Sequence, residues 1–163
     1  MAQSVARSVN HFGLTVGNLD VAVGFYRDAL GYRLLAGPFP LVPDDSHFGT
    51  ITKAVYGPDA RGGHFAHMVS GNGVGLELFQ FEDPEANKPA MQPYWKNGYH
   101  HMAFTAPDIE AFVAKIIEHG GKRHTPTFEV FEGTGKKLVY CHDPFGNWIE
   151  VFTHAYEDMW NMG

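Results

Sequence analysis

VNHFGLTVGNLDVAVGFYRDALGY at residues 9–32 and YHHMAFTAPDIEAFVAKIIEHGG at residues 99–121 are two versions of one pattern. In each, a short strand runs into an amphipathic helix. Leu19, Ala22, Val23, Tyr26 and Leu30 recur at helical spacing, and Gly31 stands where that helix should end. Ile109, Phe112, Val113, Ile116 and Ile117 repeat the spacing before Gly120. Asn18 and Asp108 are suited to cap the two helices, because a short polar side chain can accept from an orphan N–H. Aligning the caps at an offset of 90 residues puts His11 over His101, Thr15 over Thr105 and Leu19 over Ile109.

Each half then closes on a similar strand, GLELF at 75–79 and WIEVF at 148–152. Glu77 and Glu150 are offset by 73, so the first half carries 17 extra residues. They fall in the Pro/Gly-rich stretch 37–63, which reads as loops around a short strand. EDPEANKPAMQPYWKNG at 82–98 reads as an extended connector. The expectation is a single α+β domain over 1–163. It has a first module at 8–81, the connector, a second module at 99–154 and a tail at 155–163.

Composition narrows the function. The chain has 163 residues, 44% apolar and 18% charged, which excludes a disordered polypeptide. A formal charge of −6 argues against a nucleic-acid partner. Cys141 is the only cysteine, so neither an intrachain disulfide nor a thiolate zinc cage is expected. No stretch approaches the ~18 apolar residues of a membrane span, and MAQSVARSVN lacks the core of a signal peptide. The expectation is a cytoplasmic protein with no membrane partner.

Four polar residues stand out on apolar strands. Alternation puts Leu76 and Leu78 on one face, with Gly75, Glu77 and Phe79 on the other. Ile149 and Val151 likewise oppose Trp148, Glu150 and Phe152. Each strand is apolar on both faces yet carries a glutamate, and an unpaired buried carboxylate costs several kcal/mol (roughly). His11 shares its face with Gly13 and Thr15, and His101 with Ala103 and Thr105. The small neighbours leave room beside each imidazole. Lys137 is the only lysine or arginine within the four strands or the closing hairpin, so no cationic partner is evident. A lone strand histidine is usually a core or rim residue, but recurrence of both pairs at repeat-equivalent places points to one divalent cation. Two imidazoles and two carboxylates suit Ni, Zn, Co, Mn or Fe. His100, on the opposite face and without a counterpart in the first half, reads as structural, and His64 and His67 as possible pocket lining.

NHFGLTVGNLDVAVGFYRDALGY, GLELFQF, HHMAFTAPDIEAF and DPFGNWIEVF resemble the vicinal oxygen chelate superfamily. That superfamily includes glyoxalase I, methylmalonyl-CoA epimerase, extradiol dioxygenases and the fosfomycin and bleomycin resistance proteins. The resemblance implies paired βαβββ modules forming a cupped, incomplete β-barrel around a metal site. His11, Glu77, His101 and Glu150 match its metal positions, and a homodimer is implied as well. The His/Glu/His/Glu set is of glyoxalase I type. It implies a metal-dependent isomerase, lyase or epimerase that chelates two vicinal oxygens of a small-molecule substrate and moves a proton through an enediolate. Glu150 is the first candidate for the base and Glu77 the second. Two departures weigh against the hemithioacetal of glutathione: Thr15 stands where similar glyoxalases carry an arginine, and Phe81 where they carry an asparagine. Lys136 and Lys137 could receive an acidic group, though a lysine pair is more often a solvated edge.

The competing expectation is an extradiol-type ring-cleaving dioxygenase using Fe(II). VYCHDPFGNWIE matches the back half of that signature, including Tyr140 as a substrate-binding hydroxyl, but Phe131, Glu132 and Gly133 stand where its histidine should fall. A third expectation is a non-catalytic binding or resistance protein.

Overall fold

A computed structural model describes residues 5–57, 59, 61–83, 93 and 95–161. The first half runs β1 (His11–Thr15), α1 (Leu19–Asp28), β2 (Arg33–Leu41), α2 (His47–Tyr56), β3 (Gly63–Val69) and β4 (Gly75–Phe81). The second runs β5 (His101–Thr105), α3 (Ile109–Glu118), β6 (Lys122–Arg123), β7 (Phe128–Glu129), β8 (Lys137–His142) and β9 (Trp148–Phe152), then α4 (Tyr156–Trp160). Two small sheets share one plan. The first is ordered β1-β4-β3-β2 and the second β5-β9-β8-β6, with β7 also paired to β8. In each, the opening strand is parallel to the closing strand and the other pairs are antiparallel. The expected α+β class is present, with no closed barrel among the described residues.

Helix periodicity does what the sequence asks of it. Leu19, Ala22, Val23 and Tyr26 are buried from α1, and Ile109, Val113 and Ile116 from α3. The Asn18 side chain accepts from Val21 N at 3.0 Å, and Asp108 from Ala111 N at 3.1 Å. Strand alternation holds equally: Leu76, Leu78, Ile149 and Val151 are fully buried, so each closing strand is anchored by one apolar face.

The stretch 37–63 departs from expectation. Instead of loops around a short strand it continues β2 and then folds a ten-residue helix, α2. Ser46 caps that helix by accepting from Gly49 N at 3.0 Å, and Asp44 accepts from Ser46 in turn. The flanking Pro and Gly residues mask a capped segment whose apolar side chains, Phe48 and Tyr56, stack over the strand aromatics. The tail is also more ordered than a fraying end, because α4 buries Met159 completely and Trp160 meets the Phe131 ring edge-on. Most of the expected connector 82–98 lies outside the described residues.

Two compact units are distinguishable. One takes residues up to 23 together with 31–86, and the other 24–30 together with 87 onward. The second half of α1 therefore belongs to the second unit, where Tyr26 donates its hydroxyl to Asp143 at 3.1 Å. Among the described residues no helix is long and apolar enough to cross a membrane.

Candidate metal centre

In the first unit, parallel pairing sets His11 opposite Gly75 and Gly13 opposite Glu77, all on one face. Gly75 makes the arrangement possible, because a Cβ there would stand 2.9 Å from the Cβ of His11. The His11 Nε2 lies 3.4 Å from Glu77 Oε2. Its Nδ1 lies 2.7 Å from the side-chain oxygen of Asn10. An amide oxygen can only accept, so Nδ1 carries the proton and Nε2 offers its lone pair toward the glutamate.

The second unit repeats the construction. His101 stands opposite Trp148 and Ala103 opposite Glu150. The His101 Nε2 lies 3.0 Å from Glu150 Oε2, and its Nδ1 lies 2.9 Å from Nδ1 of His100. Tyr140, directly across the antiparallel pair from Glu150, donates to that carboxylate. Burial first, and then the hydrogen bond and charge of Glu150, hold the Tyr140 phenol well above its ordinary range, so it remains a donor at physiological pH. The side chain of Glu150 is only 7% exposed, against 27% for Glu77. Glu77 is thus less buried than expected. Its neighbours Gly13 and Gly75 carry no side chains to cover it, whereas Trp148 and Tyr140 shield Glu150.

His100 is more than structural padding. It stacks on Trp148 with ring centroids 5.3 Å apart, and it occupies the same place before His101 that Asn10 occupies before His11. Each candidate ligand histidine is therefore held at Nδ1 by the residue preceding it. Sequence reasoning missed this, because asparagine and histidine look unrelated until both are seen on the same ring nitrogen. His67 was placed only as pocket lining, yet its Nδ1 lies 3.3 Å from Glu77 Oε1.

The donor set fits a divalent cation. His11 Nε2 and Glu77 Oε2 are both acceptors, and two acceptors at this distance repel unless a proton or metal lies between them. Donors sharing one ion at bond lengths of about 2.1 Å stand roughly 3.0–3.4 Å apart, depending on the angle. Both pairs lie in that range. The glutamates' ion-pair partners are imidazoles, with no lysine or arginine on either among the described residues. Among those residues no group of three or more His, Cys, Asp or Glu side chains has the geometry to bind a metal. Each unit contributes a two-donor half.

Surrounding residues limit what such a site would take. Phe81 stacks on Phe79 and meets Tyr56 edge-on, centroids 6.1 and 5.1 Å apart, so it builds an aromatic rank beneath α2 rather than a polar anchor. Tyr56 closes the rank, and burial, with the charge of Glu77, pushes its phenol upward. Lys136 donates to the Asn161 carbonyl at 2.9 Å. Lys137 alternates away from the Tyr140 face and lines an open depression with Asp108, Thr153 and His154.

The family model of the Glyoxalase/Bleomycin resistance protein/Dioxygenase superfamily matches residues 8–151, and the chain belongs to that superfamily. It is 26% identical over 153 residues to the lactoylglutathione lyase of Schizosaccharomyces pombe, covering 90% of this chain and 47% of that protein. It is 27% identical over 150 residues to the 2-epi-5-epi-valiolone epimerase of an Actinomyces species, covering 90% of this chain and 79% of that protein. A glyoxalase family protein from Bacillus cereus shares the fold, with a TM-score of 0.75 at 23% identity over 93% of this chain and 97% of that one.

Proposed function

We propose that the protein is a divalent-metal-dependent isomerase, lyase or epimerase of glyoxalase I type, acting on a small substrate with two adjacent oxygens. In this reading His11, Glu77, His101 and Glu150 together hold one divalent ion. The observation that carries it is the repeated pair: in both units a strand imidazole turns Nε2 toward a glutamate at 3.0–3.4 Å. Similarity to a lyase and an epimerase supports the same class of chemistry.

When bound, the cation supplies Lewis acidity to the two substrate oxygens. The rest falls to the chain. Glu150 is placed to take a proton from the carbon beside those oxygens and return it, with Glu77 as the second candidate. The Tyr140 hydroxyl donates to Glu150 and fixes the plane in which its free oxygen meets substrate. Trp148 and Phe152, flanking Glu150 on its strand face, exclude water from the proton in transit. Two carboxylates cancel the charge of a divalent ion, which favours a neutral hydroxycarbonyl over an anionic catecholate. Thr15 and Phe81 give no anchor for the carboxylates of glutathione.

Metal analysis of the purified protein beside His11→Ala and Glu77→Gln tests this. One divalent ion per site is expected in the parent and loss from both variants; stoichiometric metal retained in both variants would defeat the assignment. A panel of enolisable hydroxycarbonyls then distinguishes the reactions. Oxygen uptake with a catechol would move the protein to the dioxygenase class, and tight binding without turnover to the binding proteins.

A further inference from the structure

His67 lies outside the four-residue ligand set, and its place in the sheet is specific. Antiparallel pairing sets it directly opposite Glu77, as it sets Tyr140 directly opposite Glu150. In register terms the two residues are counterparts on the strand adjoining each glutamate. The two oxygens of Glu77 are used separately: Oε2 faces His11 Nε2 at 3.4 Å, and Oε1 faces His67 Nδ1 at 3.3 Å. These contacts differ in kind. The His11 proton is committed to Asn10, so its Nε2 meets the carboxylate as a lone pair and leaves a place for a cation. No such commitment binds His67, whose ring meets Phe65 edge-on and whose Nδ1 is free to carry the proton toward Oε1.

We propose that His67 is a positioning residue: its Nδ1–H pins one oxygen of Glu77 so that the other is presented, with His11, to the divalent ion. The inference rests on the metal-site reading above. A carboxylate held at one point rotates about its last C–C bond, and a second contact on the other oxygen removes that freedom before the ion arrives. Partners of this kind tune metal affinity by about 10–100-fold. Tyr140 serves Glu150 in the same way with a phenol. The first module uses an imidazole because β3 presents His67 at a side chain 36% exposed, beside the uncovered Gly13–Gly75 rank.

The test is Co²⁺ titration, by calorimetry and by the visible spectrum of the bound ion, of the full chain and of His67→Phe, His67→Gln and Glu77→Gln. His67→Phe keeps a ring but loses the N–H; His67→Gln keeps a donor of similar reach. The expected result is about 10–100-fold weaker Co²⁺ binding and an altered spectrum in His67→Phe, with His67→Gln within a few-fold of the parent. If Glu77→Gln loses the ion while His67→Phe binds it as the parent does, the proposal fails and the site reading survives. If Glu77→Gln also binds as the parent does, both fail. Equal loss in His67→Gln and His67→Phe would make the ring nitrogen a ligand, which overturns the positioning role. Unfolding midpoints of the metal-free variants are taken alongside; should His67→Phe not fold, His67→Asn, whose amide is too short to reach Glu77, makes the same comparison.

Discussion

His142 illustrates how a residue's surroundings set its charge. It is 6% exposed, edge-on to Trp148 with centroids 4.3 Å apart, and its Nε2 has no hydrogen-bond partner among the described residues. Burial, with the charges of His124 and Lys122, pushes its imidazole below the ordinary 6.5. The fold therefore keeps His142 neutral at a pH where the unfolded chain already takes up a proton. Its contribution to stability is complete above that ordinary value and is lost as pH falls from it toward the lower folded value. Urea unfolding across about pH 5–8 should show the parent losing stability relative to His142→Phe as the solution is acidified. A difference that stays constant with pH would show that the folded imidazole titrates normally.

Elements depend on close approaches that no periodicity reveals. α2 begins where Gly49 passes against Asp44, and a Cβ on Gly49 would lie 2.6 Å from the backbone nitrogen and oxygen of that residue. Gly24, inside α1, has nothing within 4 Å of the same added atom. Chemical denaturation of two alanine variants should give opposite signs. Gly49→Ala is expected to lose about 1–2 kcal/mol despite better helix propensity, and Gly24→Ala to gain about 0.5–1 kcal/mol. The same sign for both would contradict the packing at Asp44. The closing hairpin depends on an equally specific turn. Asp143 accepts from Phe145 N and Asn147 N at 2.8 Å each, and from the Asn147 side chain and the Tyr26 hydroxyl. DPFGN is thus the turn that places Glu150 in register with Tyr140, and FYRDALGY supplies the tyrosine that braces it. Burial pushes the Asp143 carboxyl upward although four donors face it.

For the whole molecule, a ligand that binds only the folded chain must stabilise it. At a free concentration 100 times Kd a divalent ion adds about 2.7 kcal/mol, or roughly 5–10 °C in Tm for a chain of this length. That rise is expected with Ni²⁺, Co²⁺ or Zn²⁺ in the parent and should vanish in Glu77→Gln; an equal rise in both would place the ion elsewhere. The sequence by itself determined that two α+β modules repeat, where α1 and α3 fall, and that each closing strand carries a glutamate beside a strand histidine. Those facts are local, since periods of 2 and 3.6 and a conspicuous polar residue are read within a few positions. Only the tertiary structure decided that Asn10 and His100 hold the ligand histidines, that His67 stands across from Glu77 as Tyr140 does from Glu150, and that 37–63 folds into a strand and a helix. Such partners are set by cross-strand register and by side chains meeting in space, and residues dozens of positions apart carry no mark of which of them will face each other.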